Sequence, residues 1–491
     1  MLHEVLDPAG SPADAPAFVA GHWVADGQPV PRIGPYVRET VSRSYPAAPE
    51  QIRTALGFAR SGARTVAALA PAARAAILDR AARLATEHRA GLARLIALEL
   101  GKPVRDGGGE IDRVADTLAV CAAETRQIGG VTLPVAGWPR GVGDTALTFR
   151  APAGVALAIT PFNAPANLLA HKLGAAFAAG NSTLVKAPPQ APATTAAVVA
   201  LLLEAGLPAE AVQLLHGGAE VGAALCAAPE VDVISFTGST ATGAAVARAA
   251  GAKRLVLELG GNAATIVCAD ADIANAARTC ARTGYSNSGQ SCISVQRVYV
   301  QRSRYAEFLE SFRAEVARLR VGDPLDQSTD VGSMVDEDAA ARVEKWTAEA
   351  VARGATLLLG GTRDGATLHP TVLADPPQDC AVVAEEVFGA LVAVLPFDDL
   401  AGVIDTCNRS RFGLQAGLFT SDINTIVTTW RELQVGGLVV NGSSNYRLDH
   451  VPFGGVKDSG FGRESPGHMI EDYTVVKTLI LRGMSIWGEE S

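Results

Sequence analysis

Residues 182–217 read "STLVKAPPQAPATTAAVVALLLEAGLPAEAVQLLHG". A short apolar run, STLVKA, passes through a proline-rich turn into ATTAAVVALLLEAG, an Ala- and Leu-rich stretch of helical length, and then into a second short apolar run, VQLLHG. Strand, helix, strand is the unit of a parallel sheet, because parallel neighbours need a crossover and a helix supplies it. The alternation continues in both directions. GVALAIT (154–160) and ANLLAHKLGAAFAAG (166–180) precede it; VDVISFTG (231–238), TATGAAVARAAG (240–251) and KRLVLEL (253–259) follow. This predicts a doubly wound α/β sheet, which binds ligands at the carboxyl ends of its strands. Asn163, Lys186, Ser239 and Glu258 are the polar residues at those ends.

A second alternating block runs from AATIVC (263–268) through VQRVYVQ (295–301) and LVAVLPF (391–397) to GGLVVNG (436–442). A chain of 491 residues is too long for one core and divides into two or three domains. Upstream, Ile77, Leu78, Ala81, Leu84 and Ala85 repeat at helical spacing with Arg74, Arg80, Arg83 and Glu87 on the other side, and LGKPVRDGGGE (100–110) reads as the stop before a further helix. Residues 129–154, rich in Gly and Pro, read as a hairpin or arm between larger units.

Composition excludes several classes. With 42 basic and 51 acidic residues, a net charge of −9, the chain has none of the basic surplus of a nucleic-acid binder. Seven cysteines without a CxxC or a metal-ligand spacing point to a reducing compartment and to no metal site. The amino-terminal segment lacks the pattern of a signal peptide, and TTAAVVALLLEAGLP (194–208) is too short and interrupted to span a membrane. The expectation is a soluble cytoplasmic protein.

Cys292 stands apart from the other cysteines. Cys121, Cys226, Cys268 and Cys280 have apolar neighbours, whereas "SNSGQSCISV" (286–295) surrounds Cys292 with small polar residues just ahead of a strand, suggesting an accessible nucleophile. Asn163, between two prolines in TPFNAP, suits an oxyanion donor or, as plainly, a turn or cap residue. FTGSTATG, with Gly238 and Ser239, can bring a pyrophosphate to a helix N-terminus, although a Ser N-cap after a strand is common. Glu258, ending an apolar strand in LELGGN, suits a general base of raised pKa or a paired structural carboxylate.

Together, in the order PFN, K, FTGST, ELGGN, GQSC, EEVFG and PFGGVKDSGFGRE, these motifs resemble the aldehyde dehydrogenase superfamily along nearly the whole chain. The resemblance implies two doubly wound α/β domains plus a small β oligomerisation arm. The coenzyme-binding domain would take 1–127 and 150–258, the catalytic domain 259–462, and the arm and tail 128–149 and 463–491. It implies NAD or NADP as coenzyme, an aldehyde as substrate and a homodimer or homotetramer. Cys292 would be the nucleophile, passing through a thiohemiacetal and a thioester; Asn163 would hold the oxyanion and Glu258 would activate the hydrolytic water. Lys186, Thr160, Phe162, Gly238, Ser239, Glu386 and Phe388 would contact the coenzyme.

Three departures stand out: Pro189 where many NAD-preferring members have an acid, Phe162 where tryptophan is usual, and Ala390 where proline is usual. Phe162, GQSCISVQR and YRLDHVPFGG look most like the lactaldehyde, non-phosphorylating glyceraldehyde-3-phosphate and phosphonoacetaldehyde dehydrogenase branch. There, Arg447, assisted by Arg113, would clamp an anionic tail; surface arginines are the competing reading. A CoA-acylating semialdehyde dehydrogenase shares the fold, but similar enzymes lack the base at Glu258; a non-catalytic homologue would have lost residues that are all present.

Overall fold

The strands nearest the opening segment, Val155–Ile159, Ser182–Lys186 and Val212–Leu215, are buried at every residue, as they must be when helices cover both faces of a parallel sheet. In the computed structural model, which describes residues 1–6 and 12–484, these three pair in parallel with Val233–Thr237 and Arg254–Glu258 in the order 254–258, 233–237, 155–159, 182–186, 212–215. The chain steps outward from 155–159 to 212–215, then returns to the other side. The crevice of such a sheet opens where the order reverses, between 155–159 and 233–237. Register aligns Ile159 with Lys186 and Phe236, and Thr237 with Glu258. Thr160, Lys186, Gly238 and Glu258 therefore emerge along one edge.

The second sheet has seven strands, Thr356–Leu359, Thr371–Ala374, Leu391–Phe397, Arg297–Gln301, Ala264–Val267, Gln415–Phe419 and Gly437–Val440, parallel except for the first. Its amino edge meets the carboxyl edge of the first sheet. Glu386, just ahead of 391–397, accepts from Gly261 N at 2.9 Å, three residues past Glu258. A third, antiparallel sheet joins Thr132–Leu133 and Thr145–Pro152 to Thr474–Leu481, the last two paired over eight residues. Residues 485–491 of the expected tail lie outside the described residues. Among the described residues no helix is long and apolar enough to cross a membrane.

Two local expectations are corrected. A helix does stop in this stretch, at Leu100 with Gly101 in the left-handed conformation, but the glycines 107–109 lie inside the next helix, Val104–Thr125. Close packing overrides the low propensity of two of them: a Cβ on Gly107 would come within 3.1 Å of Ala93 O, and one on Gly108 within 2.6 Å of Arg89 Nη2; Gly109 has open space around it. Arg74, expected on a polar face, is buried, with its guanidinium donating to Ala178 O and Leu69 O.

The helix Pro192–Glu204 is buried along its first eleven residues and has no cap from its own N-cap residue. Glu99, from the helix Arg89–Leu100, supplies one: its carboxylate accepts from Ala193 N and Thr194 N at 2.9 Å each and from Thr194 Oγ1 at 2.7 Å. Burial pushes the Glu99 carboxyl up, and the bonds from Ser42, Thr194 and Ala193 pull it back. Glu99→Ala would leave buried donors without acceptors and is expected to cost about 3–5 kcal/mol, read as a lowered thermal midpoint.

Candidate active site

The nucleophile loop leaves the helix Ile273–Gly284 through a turn in which Asn287 and Ser288 take positive φ values of 49° and 55°. Non-glycine residues rarely hold that conformation, and each costs on the order of 1–3 kcal/mol unless its surroundings enforce it. Here they do. Asp106 accepts from Ser286 Oγ and Asn287 N, both at 3.1 Å, and Ser288 Oγ donates to Gly332 O at 2.9 Å. Gln290 Oε1 accepts from Val335 N at 2.8 Å. The polar residues around the thiol are therefore largely buried bracing, not the open loop their composition suggested. Ser291 and Cys292 are half-buried, and Cys292 packs against Ile293, Leu414 and Phe453; the other six cysteines are buried.

Asn163 is tied to the same loop. Its Nδ2 donates to Gln290 O at 3.1 Å, and its carbonyl accepts from Asn287 Nδ2 at 3.1 Å and Lys102 Nζ at 3.2 Å. Lys102 forms a buried ion pair with Glu110 at 2.7 Å, and Glu110 Oε1 also accepts from Ala166 N and Asn167 N, the first turn of the helix that follows Asn163. Backbone and side chain of the asparagine are thus both located by buried partners.

Glu258 is buried, and neither carboxylate oxygen has a hydrogen-bond partner among the described residues. Burial, then the neighbouring charge of Glu464, drives its carboxyl well above the usual range against the opposing pull of Arg447, Lys172 and Arg463. Glu464 goes the other way: burial would raise it, but Lys172 and Arg447 bring it down to about 2. Lys172 Nζ lies 2.8 Å from Glu464 Oε2 and donates to Ser235 Oγ at 3.0 Å. Lys172 and His171 are presented by a widened π-type turn, Ala170–Gly174, of the kind that often marks functional helices. Gly261 abuts Cys292 so closely that a Cβ there would fall 2.1 Å from Cys292 O.

The two arginines singled out from the sequence are brought together by a residue that was not. Asp449 takes a bidentate bond from Arg113, at 2.9 and 2.7 Å, and accepts from Asn167 Nδ2 at 3.1 Å; His171 Nε2 lies 2.9 Å from it. Burial raises its carboxyl, but His171 and Arg113 hold it far below the usual range. Arg447 donates to Glu464 Oε1 at 3.1 Å, stands 4.2 Å over the Phe453 ring, and has its buried Nε 3.8 Å from Asp449 Oδ1, an ion pair without a hydrogen bond. Neither guanidinium is an unpaired surface charge. Lys172, Glu464 and Asp449 escaped the sequence reading, yet a lysine inside the otherwise apolar "ANLLAHKLGAAFAAG" was a signal for the first.

At the other end of the crevice, Thr160 Oγ1 is buried without a partner, and Lys186, its pKa lowered by burial against the pull of Glu220, has no hydrogen-bond acceptor among the described residues. Gly238 leaves no room for a side chain, since a Cβ would lie 2.6 Å from the Phe236 ring. Ser239 caps the helix Thr240–Ala250 by accepting from Thr242 N. The Phe162 and Phe388 rings meet edge to face, 5.9 Å apart. Beside them Glu386, pushed up to about 7 by burial against its bond from Gly261 N and the charges of Arg342 and Arg411, braces the Gly260–Gly261 turn. An orphaned hydroxyl, a buried ammonium without an acceptor and a helix N-terminus along one edge fit a polar, phosphate-bearing coenzyme.

Known proteins resemble the chain along nearly its whole length. A model of the aldehyde dehydrogenase family matches residues 23–479. The 3-sulfolactaldehyde dehydrogenase of Priestia megaterium is 40% identical over 465 residues, covering 94% of this chain and 97% of that protein. Among solved structures, aldehyde dehydrogenase 21 from Physcomitrella patens, in complex with its reaction product succinate, superposes with a TM-score of 0.94 at 32% identity, covering 97% of this chain and all of that one. Glyceraldehyde-3-phosphate dehydrogenase GapN from Methanocaldococcus jannaschii, complexed with NADP, superposes with a TM-score of 0.90 at 33% identity, covering 93% and 100%.

Burial, then the charges of Glu386 and Glu258, push the Cys292 thiol up to about 12, with Arg447 opposing. Since the thiolate is the reactive form, alkylation of Cys292 by iodoacetamide in the coenzyme-free protein is expected to quicken about tenfold per pH unit from pH 7 to 10, without levelling off. A plateau below pH 9 in the labelling rate would contradict that environment.

Proposed function

Because the chain belongs to the aldehyde dehydrogenase family and so oxidises aldehydes with NAD(P), we propose that it works through a covalent thioester on Cys292, on a small aldehyde with an anionic or hydroxylated tail. The observation that carries the reading is convergence. Cys292 from one sheet's amino edge, and Asn163 and Glu258 from the other's carboxyl edge, meet at one crevice, where Glu258 keeps both oxygens unpartnered.

In this reading the Cys292 sulfur attacks the aldehyde carbon. A thiol that resists ionisation must lose its proton as it attacks, and Glu258, whose burial favours the protonated form, is suited to take it. The oxygen that becomes negative is met by Asn163 Nδ2 and the Cys292 N–H; a well-aimed donor of this kind contributes roughly 2.7–4 kcal/mol. The bound nicotinamide supplies the acceptor for the hydride. Once the thiol's proton has passed to solvent, Glu258 draws a proton from the water that hydrolyses the thioester and returns it to the departing sulfur, freeing a carboxylic acid and the thiol. Thr160, Phe162, Lys186, Gly238, Ser239, Glu386 and Phe388 are proposed to hold the coenzyme.

The anionic tail is supported by charge: three cations, Arg113, Arg447 and Lys172, are interleaved with two ionised carboxylates, Asp449 and Glu464, beside the nucleophile. The sulfonate-bearing substrate named for the Priestia relative and the succinate bound to the moss enzyme are in keeping with it. Seven free thiols suit a reducing cytoplasm. We also infer a homodimer or homotetramer, supported by the edge strand Thr474–Leu481, which exposes Val475, Val476, Leu479 and Ile480 beside Phe149.

Cys292→Ala is expected to fold and bind coenzyme but to oxidise no aldehyde, and wild type is expected to release free acid without CoA; turnover by the variant, or a strict CoA requirement, would overturn the mechanism. Arg447→Ala should raise KM for a carboxylate- or sulfonate-bearing aldehyde at least tenfold more than for a neutral one of equal size, equal effects removing Arg447 from the substrate. Light scattering is expected to give a dimer or tetramer that Val476→Asp with Ile480→Asp dissociates, and a monomeric wild type would end the assembly inference.

A further inference from the structure

Lys186 and Leu215 end neighbouring parallel strands in register, and the chain stays side by side beyond them, Ala187 N donating to Leu215 O at 3.1 Å. Two loops thus leave the coenzyme edge together. The first carries Pro189, where similar NAD-preferring enzymes place an acid. The second turns through Gly217, at φ +142°, into the helix Ala219–Ala227, whose first turn carries Glu220.

Glu220 does not project along its helix. Gly218 N donates to its Oε1 at 2.8 Å, and a Cβ on Gly218 would fall 2.7 Å from Oε2. The carboxylate is folded back over the glycine turn at the carboxyl edge. Its charge reaches Lys186: burial lowers the ammonium's pKa and Glu220 pulls it back up. Glu220 also sits where a helix N-terminus would otherwise favour a phosphate, and its own charge offsets that attraction.

We propose that Glu220 is the coenzyme-selecting carboxylate of this protein: from the neighbouring loop it replaces the acid absent at Pro189, accepts hydrogen bonds from the adenosine ribose hydroxyls beside Lys186, and makes NAD the coenzyme in preference to NADP. A carboxylate takes bonds from a diol readily, whereas a 2′-phosphate brought to the same place meets a like charge. The inference rests on the coenzyme reading of Lys186 and is independent of the chemistry at Cys292.

Calorimetric titration of the full-length protein with NAD and with NADP, without aldehyde, tests it. Wild type is expected to bind NAD about tenfold or more tighter than NADP. Glu220→Gln should narrow that ratio about tenfold, chiefly by tightening NADP, and Glu220→Arg should reverse it. The kcat/KM ratios for the two coenzymes should follow the affinities. Equal affinities in wild type, or an unchanged ratio in Glu220→Gln, overturn the proposal while leaving the thioester mechanism standing; Glu220→Ser repeats the test should the glutamine variant not fold.

Discussion

Glu464 is a carboxylate buried almost completely between two cations, Lys172 at 2.8 Å and Arg447 at 3.1 Å. Such a group is tolerated only because both partners are present; removing one partner of a buried pair costs about 3–5 kcal/mol. Much of the site follows from this one ionised group. Lys172 must be delivered from a widened turn in an apolar helix, and Arg447 must stand over Phe453, which in turn packs with Cys292. Glu258, with its solvent removed and an ionised neighbour supplied, has its own charge disfavoured and keeps the proton affinity of a base.

The two sheets contribute opposite ends to this centre. The first offers its carboxyl edge, where strand ends and helix N-termini leave backbone groups and polar side chains unsatisfied. The second offers its amino edge, with Gly260–Gly261, the nucleophile loop and Glu386. Small residues at the junction are a steric requirement: Gly261, Gly454 and Gly260 each face a catalytic-side atom that a Cβ would displace, Cys292 O at 2.1 Å, Glu258 Oε1 at 2.9 Å and Glu386 Oε2 at 2.4 Å. The strained turn at Asn287 and Ser288 persists because Asp106, Asn163 and Gly332 hold its polar groups.

Much of the fold was legible in local pattern. Short apolar runs alternating with Ala-rich segments became the parallel strands and helices at nearly the expected positions, because a strand buried on both faces must be apolar throughout. The errors were local propensities overruled by distant partners. Gly107 and Gly108 looked like part of a helix stop until the close approach of Ala93 and Arg89 gave them a packing role, and Arg74 looked solvated until buried carbonyls claimed its guanidinium. Asn163 and Glu258 were readable as polar residues at the ends of apolar strands, and Cys292 as a thiol among small polar neighbours. Asp449 and Glu464 were not, since an acid in a polar loop carries no local sign of burial.

By itself, then, the sequence determined the layered α/β architecture and the family, because periodicity and residue type are local properties. Only the tertiary structure decided which charges are paired. Arg113 and Arg447 were two arginines among many until folding set both around Asp449 and Glu464. Glu220 was one acid among many until parallel register laid its loop beside Lys186. The reason is physical: a charge acquires its pKa, its partner and its selectivity from groups within a few ångströms, and those groups lie tens to hundreds of residues away along the chain.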